Sequence, residues 1–191
     1  MKSHFFAYIS RMRFIQRWAL MRNTAPENVQ EHSHQVAVLA HGLAVVRNEK
    51  FGGTVDPGAV AAAALYHDAS EILTGDMPTP IKYDNPAIRQ AYKDVEAVAE
   101  QKLVDFLPRE LREVYRNIVT PTDPEIEALV KAADKLSAHI KCLEELKAGN
   151  NEFREAAAQT RKALEDYDLP EVRYFMDTFL ESFALTLDEL K

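Results

Sequence analysis

The sequence predicts a single all-α domain, and three observations carry that prediction. Glycine is sparse, with 6 in 191 residues, and no stretch alternates β-branched with polar residues between turn signals. Apolar residues recur instead at three- and four-residue spacing along most of the chain. The composition, 47% hydrophobic and 28% charged, is that of an ordinary globular protein, and the length suits one domain with one sizeable core.

Each helix can be justified in turn. Phe5, Tyr8, Ile9, Met12, Ile15 and Trp18 form a stripe that predicts a helix over 5–18. Asn28, with Glu31 three residues on, resembles a capping box, and Val36, Leu39, Leu43 and Val46 continue the helix it opens. Asp56 and Pro57 supply an N-cap and a first helical position; the spacing carries that helix to about Leu73, with a stop at Gly75. Pro78 and Pro80 then predict a loop. A charged helix follows over 86–106, and a short one over 108–117. Asp123–Pro124 repeats the Asp-Pro start and opens a long helix with Ile126, Leu129, Val130, Ala133, Leu136, Ile140 and Leu143 on one face, ending at Gly149. Residues 151–165 read as an Ala-rich polar helix. Pro170 opens the last one, with Val172, Phe175, Met176, Phe179, Leu180 and Phe183 on its apolar face. No repeat, low-complexity tract or linker divides the chain.

Charge and cysteine content narrow the functions open to such a bundle. A net charge of −7 argues against a nucleic-acid polymer or an anionic membrane as partner, while leaving room for a small anion in a local basic pocket. Residues 1–22 are Arg-rich and free of acids, as in an organelle transit peptide, but their helical apolar spacing favours an integral element. No apolar run is long enough to cross a membrane. Cys142 is the only cysteine, so no internal disulfide can form and a cytoplasmic location is expected.

His67 and Asp68 stand side by side in the apolar run AAAALYHDASEILTGD. Burying such a pair is costly unless something satisfies it. A salt-linked core pair is the plainer reading of the doublet alone; a metal site is the sharper one. Three further residues favour the metal. His32 lies one turn into the second helix, Asp134 lies beside the apolar face of the long helix with small Ser137 and Ala138 leaving space, and Glu71 shares a helix side with His67 and Asp68. Two imidazoles and two carboxylates from three helices make a nitrogen/oxygen set suited to a divalent transition ion with positions left open. Such a site can polarise a phosphoryl group and acidify a water.

His32, His67–Asp68 and Asp134 match in order the H…HD…D signature of the HD-domain metal-dependent phosphohydrolases. The segments RWALMRN, ENVQEHSHQVA, LYHDASEILTGDMPTP, KAADKLSAHIKCLEEL and GNNEF resemble, over essentially the whole chain, the bacterial HD-domain 5'-deoxynucleotidases of the YfbR type. The resemblance implies an HD-type helical bundle spanning 1–191, with its core at about 28–149 and a C-terminal helix at 170–184 that packs or joins a dimer. It implies a phosphatase that converts deoxyribonucleoside 5'-monophosphates to deoxyribonucleosides and phosphate. One divalent cation, cobalt or manganese, would be held by His32, His67, Asp68 and Asp134, and the protein would be a homodimer.

The resemblance also assigns roles. Arg17 orients the phosphate, for which a guanidinium fork is well shaped. Trp18 walls the sugar and disfavours a 2'-hydroxyl. Asp68 serves catalysis as well as the metal, and Glu71 is a general acid/base or supports the metal ligands. Asp76 accepts from the sugar 3'-hydroxyl, while Met77, Pro78 and Thr79 shape the pocket; His32 and Asp134 also border the substrate. His34 and His41 fall on the opposite side of the helix from His32, and His139 is off the face of Asp134. Cys142 reads as packing. Rival readings are another HD activity (a nucleoside triphosphohydrolase or cyclic-nucleotide phosphodiesterase) and a nucleotide-sensing module without turnover. Having Arg17 alone as a basic residue counts against a triphosphate.

Overall fold

The computed structural model describes residues 2–82 and 85–191, with the backbone alone at Thr79 and Pro80. Its helices are α1 (Phe5–Ile9), α2 (Val29–Phe51), α3 (Pro57–Tyr66), α4 (Glu71–Thr74), α5 (Thr79–Lys82), α6 (Pro86–Asp105), α7 (Arg112–Val119), α8 (Pro124–Lys147), α9 (Arg154–Glu165) and α10 (Pro170–Phe179). Short 3₁₀ turns follow α1 at Ser10–Phe14 and α10 at Leu180–Ala184. No strand occurs among the described residues.

The predicted caps form. Asn28 Oδ1 accepts from Glu31 N at 3.0 Å while Glu31 Oε2 accepts from Asn28 N at 3.3 Å, closing the capping box. Asp56 and Asp123 cap α3 and α8 by accepting from Gly58 N and Glu125 N, at 2.8 and 2.9 Å. Gly52 ends α2 at φ 70, a left-handed cap that glycine takes without Cβ strain.

The core lies where α2, α3, α8 and α10 meet. Val36, Ala40, Leu43 and Ala44 of α2 face Leu129, Ala133, Leu136 and Ile140 of α8, with Val60 of α3 and Val172 of α10 closing the sides. Each such aliphatic side chain contributes about 1.5–3 kcal/mol on burial. The last helix therefore completes the core, through Val172, Phe175 and Leu180. A second cluster of Phe5, Ala69, Leu103 and Leu107 fastens α1 and the turn after α3 to α6. A third, of Cys142, Phe153 and Ala157, lies against Trp18 and Met21.

Two predicted helices end early, and both breaks serve the site. The stripe over 5–18 stops at Phe14: Ile15 turns extended at φ −96 and ψ 112. Val29 N then donates to Ile15 O, and Arg17 N to Glu27 O, both at 2.9 Å. This long-range pairing overrides the local period, so Arg17 and Trp18 lie on a strapped segment and not on a helix. The helix predicted to reach Leu73 breaks after Tyr66. Ala69 N and Glu71 N bond to Tyr66 O and Asp68 O at 2.9 and 3.1 Å, one residue tighter than an α-helix. The His67 ring takes the Ala64 carbonyl at 2.7 Å, which favours that tightening. The proline loop is shorter than predicted, since Pro80 is tolerated in the first turn of α5.

The segment before α2 is also anchored from the far side. Buried Glu145 accepts from Thr24 N, Thr24 Oγ1 and Asn150 Nδ2 at 2.9, 2.7 and 2.8 Å and pairs with Lys141. Burial works to raise its pKa, but Lys141, Thr24 and Asn150 hold it well below the usual carboxylate range. A depressed folded pKa gives stability that is present above the ordinary carboxylate pKa and lost as pH falls below it. Glu145→Ala leaves Lys141 buried without its partner, at a cost of about 3–5 kcal/mol. The expected drop in Tm is about 6–20 °C at neutral pH. Thermal melts from pH 7 down to pH ~3.5 should show the gap to wild type begin to narrow below pH ~4.5, where Glu145 of the unfolded chain takes up a proton that the folded chain still refuses; a gap independent of pH would refute the ion-pair account.

Candidate metal centre

Three of the four predicted metal ligands converge most tightly. One ligand atom each from His32, His67 and Asp68 lies within 4.8 Å of the others. Asp68 Oδ2 is 3.1 Å from His67 Nε2 and 3.5 Å from His32 Nε2, and Asp134 Oδ1 joins at 3.1 Å from His32 Nε2. The two rings lie tilted at 53° to each other with centroids 5.3 Å apart. The far side of each ring is held. His67 Nδ1 meets Ala64 O at 2.7 Å, which makes Nδ1 the protonated nitrogen and leaves the Nε2 lone pair directed inward. His32 Nδ1 meets Ser137 Oγ at 3.1 Å, and that hydroxyl donates to Gln35 Oε1 at 2.8 Å. Ser137 thus does more than leave room for Asp134, as the sequence suggests; it orients His32.

The inward nitrogens, His32 Nε2 and His67 Nε2, are buried and have no hydrogen-bond partner among the described residues. The carboxylate contacts to them, though short, lack hydrogen-bond alignment. Paired inward nitrogens, with the outer ones fixed by protein groups, are the arrangement that divalent ions select. The donor set fits such an ion.

Electrostatics favour a cation as well. Burial alone would raise Asp68 and Asp134, yet His67, His32 and Arg17 around the first and His32 beside the second hold both well below the usual carboxylate range. Burial works against charge on His32, but Asp134 and Glu27 beside it push the ring up to about 9. Glu71 behaves oppositely: burial first, then the charges of Asp68 and Asp76, push it up to about 9. Its Oε2 is buried with no partner among the described residues. Asp76 is likewise raised, chiefly by burial.

The remaining predicted residues fall around this centre. Arg17 Nη1 donates to Asp68 Oδ2 at 3.3 Å. Trp18 reaches the cluster through Glu27, whose Oε2 accepts from Trp18 Nε1 at 2.8 Å and lies 3.4 Å from Arg17 Nε. Met77 and Pro78 are half-buried in the loop after α4; the Thr79 side chain lies outside the described residues. His34 and His41 are exposed on α2, away from His32. His139 is buried against Thr160 Oγ1 at 2.9 Å, and Cys142 packs with Phe153 and Ala157, so neither joins the centre. Sequence reading gave no role to Glu27, although it opens the segment ENVQEHSHQVA just before the capping box. It also missed Lys82, whose charge acts on Glu71 and Asp76 beside that of Arg17.

An all-helical bundle that brings a histidine, a His–Asp doublet and a distant aspartate together in this order defines the HD-domain phosphohydrolase class. An HD-domain phosphohydrolase from Listeria innocua superposes with a TM-score of 0.82 at 25% identity, covering 94% of this chain and 88% of that one. The chain belongs to the YfbR-like 5'-deoxynucleotidase family, which matches residues 4–183. A 5'-deoxynucleotidase of Vibrio cholerae is 53% identical over 99% of this chain and 98% of its own length. One of Photobacterium profundum is 52% identical with the same coverage. A cyanophage S-2L HD phosphohydrolase, described as bound to dA and one catalytic Zn2+ ion, shares the fold with a TM-score of 0.62 at 24% identity over 93% of this chain and 95% of that one.

Proposed function

We propose that this chain hydrolyses deoxyribonucleoside 5'-monophosphates to deoxyribonucleosides and inorganic phosphate. A divalent transition ion, cobalt or manganese, is held by His32, His67, Asp68 and Asp134. The observation that carries the reading is the pair of unpartnered inward nitrogens on His32 and His67, with Arg17 bonded to the same Asp68 oxygen that faces both. Once bound there, such an ion would polarise the phosphoryl group and lower the pKa of a water.

The chain's own residues do the rest. Arg17 presents a planar fork to the phosphate oxygens and is fixed by Asp68 and Glu27 before substrate arrives. Glu71, held near neutrality by burial, exchanges a proton at Oε2. The Trp18 ring bounds the sugar where a ribose would carry its extra hydroxyl. Asp76 accepts from the 3'-hydroxyl, with Met77, Pro78 and Thr79 at the rim. A cytoplasmic homodimer completes the reading, and sedimentation of the purified chain checks its size.

The test is phosphate release from deoxy- and ribonucleoside 5'-mono- and triphosphates, with cobalt or manganese added. Deoxymonophosphates should exceed their ribose counterparts by about 10–200-fold in kcat/KM. No release from any substrate, with metal bound, would make the chain a nucleotide-binding module. Release chiefly from triphosphates would transfer it to another HD activity.

A further inference from the structure

We propose that Glu27 is a positioning residue that sets sugar selectivity by holding Trp18 and Arg17 in one fixed geometry. The proposal rests on the deoxynucleotide reading above. Trp18 is the only non-glycine described residue with positive φ, at 58. A side chain in that region is strained and persists only where its surroundings over-determine it. Here they do. Trp18 Nε1 donates to Glu27 Oε2 at 2.8 Å, and the ring lies 5.3 Å from that of buried Phe153. One edge of the indole is pinned by a carboxylate and another part of it by an aromatic ring.

Glu27 touches more than the tryptophan. Its Oε2 is 3.4 Å from Arg17 Nε, its Oε1 is 3.7 Å from His32 Nδ1, and its backbone carbonyl accepts from Arg17 N at 2.9 Å. One side chain thus meets the residue assigned to the sugar, the residue assigned to the phosphate and a metal ligand. The strap itself does not depend on this side chain. Val29 N to Ile15 O and the bridge between Gln16 and Asn28 hold it through the backbone, and Glu145 anchors Thr24 and Ala25 beyond it. What the Glu27 carboxylate adds is orientation of two side chains. A tryptophan free to swing yields space for an added hydroxyl, so loss of the pin should cost discrimination more than turnover.

Trp18 is the only tryptophan in the sequence, so intrinsic fluorescence reports its mobility without substrate. The experiment compares wild type, Glu27→Ala and Glu27→Gln by acrylamide quenching, fluorescence anisotropy and kcat/KM for dAMP and AMP with manganese. Glu27→Ala should raise quenching, lower anisotropy and reduce the dAMP/AMP ratio by about tenfold or more. Glu27→Gln retains a carbonyl acceptor for the indole N–H and should restore both the optical signal and most of the ratio. Equal losses on dAMP and AMP with unchanged fluorescence would overturn the proposal, as that is the result of a merely structural role. Should Glu27→Ala fail to fold, a Glu27→Gln variant that binds manganese yet loses the ratio with a rigid tryptophan would also overturn it. Wild type inactive on dAMP would instead refute the deoxynucleotidase reading, with quenching still reporting whether Glu27 holds Trp18.

Discussion

Asp68→Ala is expected to lower phosphate release from deoxymonophosphates by at least about 10³-fold, or ~4 kcal/mol of transition-state stabilisation. The size follows from how many groups share one oxygen. Asp68 Oδ2 lies within 3.1–3.5 Å of His67 Nε2, His32 Nε2 and Arg17 Nη1. On the proposed reading, removing it takes a ligand from the ion, a counter-charge from the two imidazoles and the anchor from the guanidinium proposed to hold the phosphate, all together. Leaving Arg17 partly buried without that partner also costs stability, by about 3–5 kcal/mol if the site cannot relax. Asp68→Asn separates the two effects, because the amide keeps the volume while losing the charge. Calorimetric titration with manganese should show weak or absent binding in both variants, and melts should show Asp68→Asn closer to wild type. Activity within tenfold of wild type in either variant would remove Asp68 from the centre.

The parts of this centre legible in the sequence are those fixed by local rules. The capping box at Asn28 and the Asp-Pro starts at Asp56 and Asp123 set the phase of α2, α3 and α8. That phase, together with the order of His32, His67–Asp68 and Asp134, accounts for these side chains meeting at one point. What was not legible depends on partners distant in sequence. The apolar stripe through Trp18 satisfies a helical period, and only pairing with Glu27–Val29 bends it into a strap. The break at His67 is set by its ring bonding Ala64 O, a competition that periodicity does not register. Ser137 looked like empty space because its partner, His32 Nδ1, lies 105 residues away. Glu27 stands in the segment ENVQEHSHQVA, but its contacts with Arg17, Trp18 and His32 are made across the fold and cannot be read from that segment.

Glu71→Gln should lower kcat by about 10²–10⁴-fold, the range for loss of a positioned proton-transfer group, while changing manganese affinity far less than Asp68→Ala does. The same substitution should stabilise the chelator-treated protein, and more so as pH rises. Glu71 is raised from 4.5 to about 9, by burial and by the charges of Asp68 and Asp76. Below pH 4.5 folded and unfolded chains both carry this proton, so the residue contributes no difference. Between 4.5 and about 9 the unfolded chain releases the proton and the folded chain retains it, so wild-type stability declines across that window. Glutamine has nearly the shape of the protonated acid and no such penalty. The gap in Tm should therefore open from pH ~5 and level off near pH ~9. A buried carboxyl kept at the cost of stability is what proton transfer at this position requires, and an inactive variant that is also more stable is its signature. An equally active Glu71→Gln, or one whose stability gain ignores pH, would make Glu71 a packing residue beside the centre.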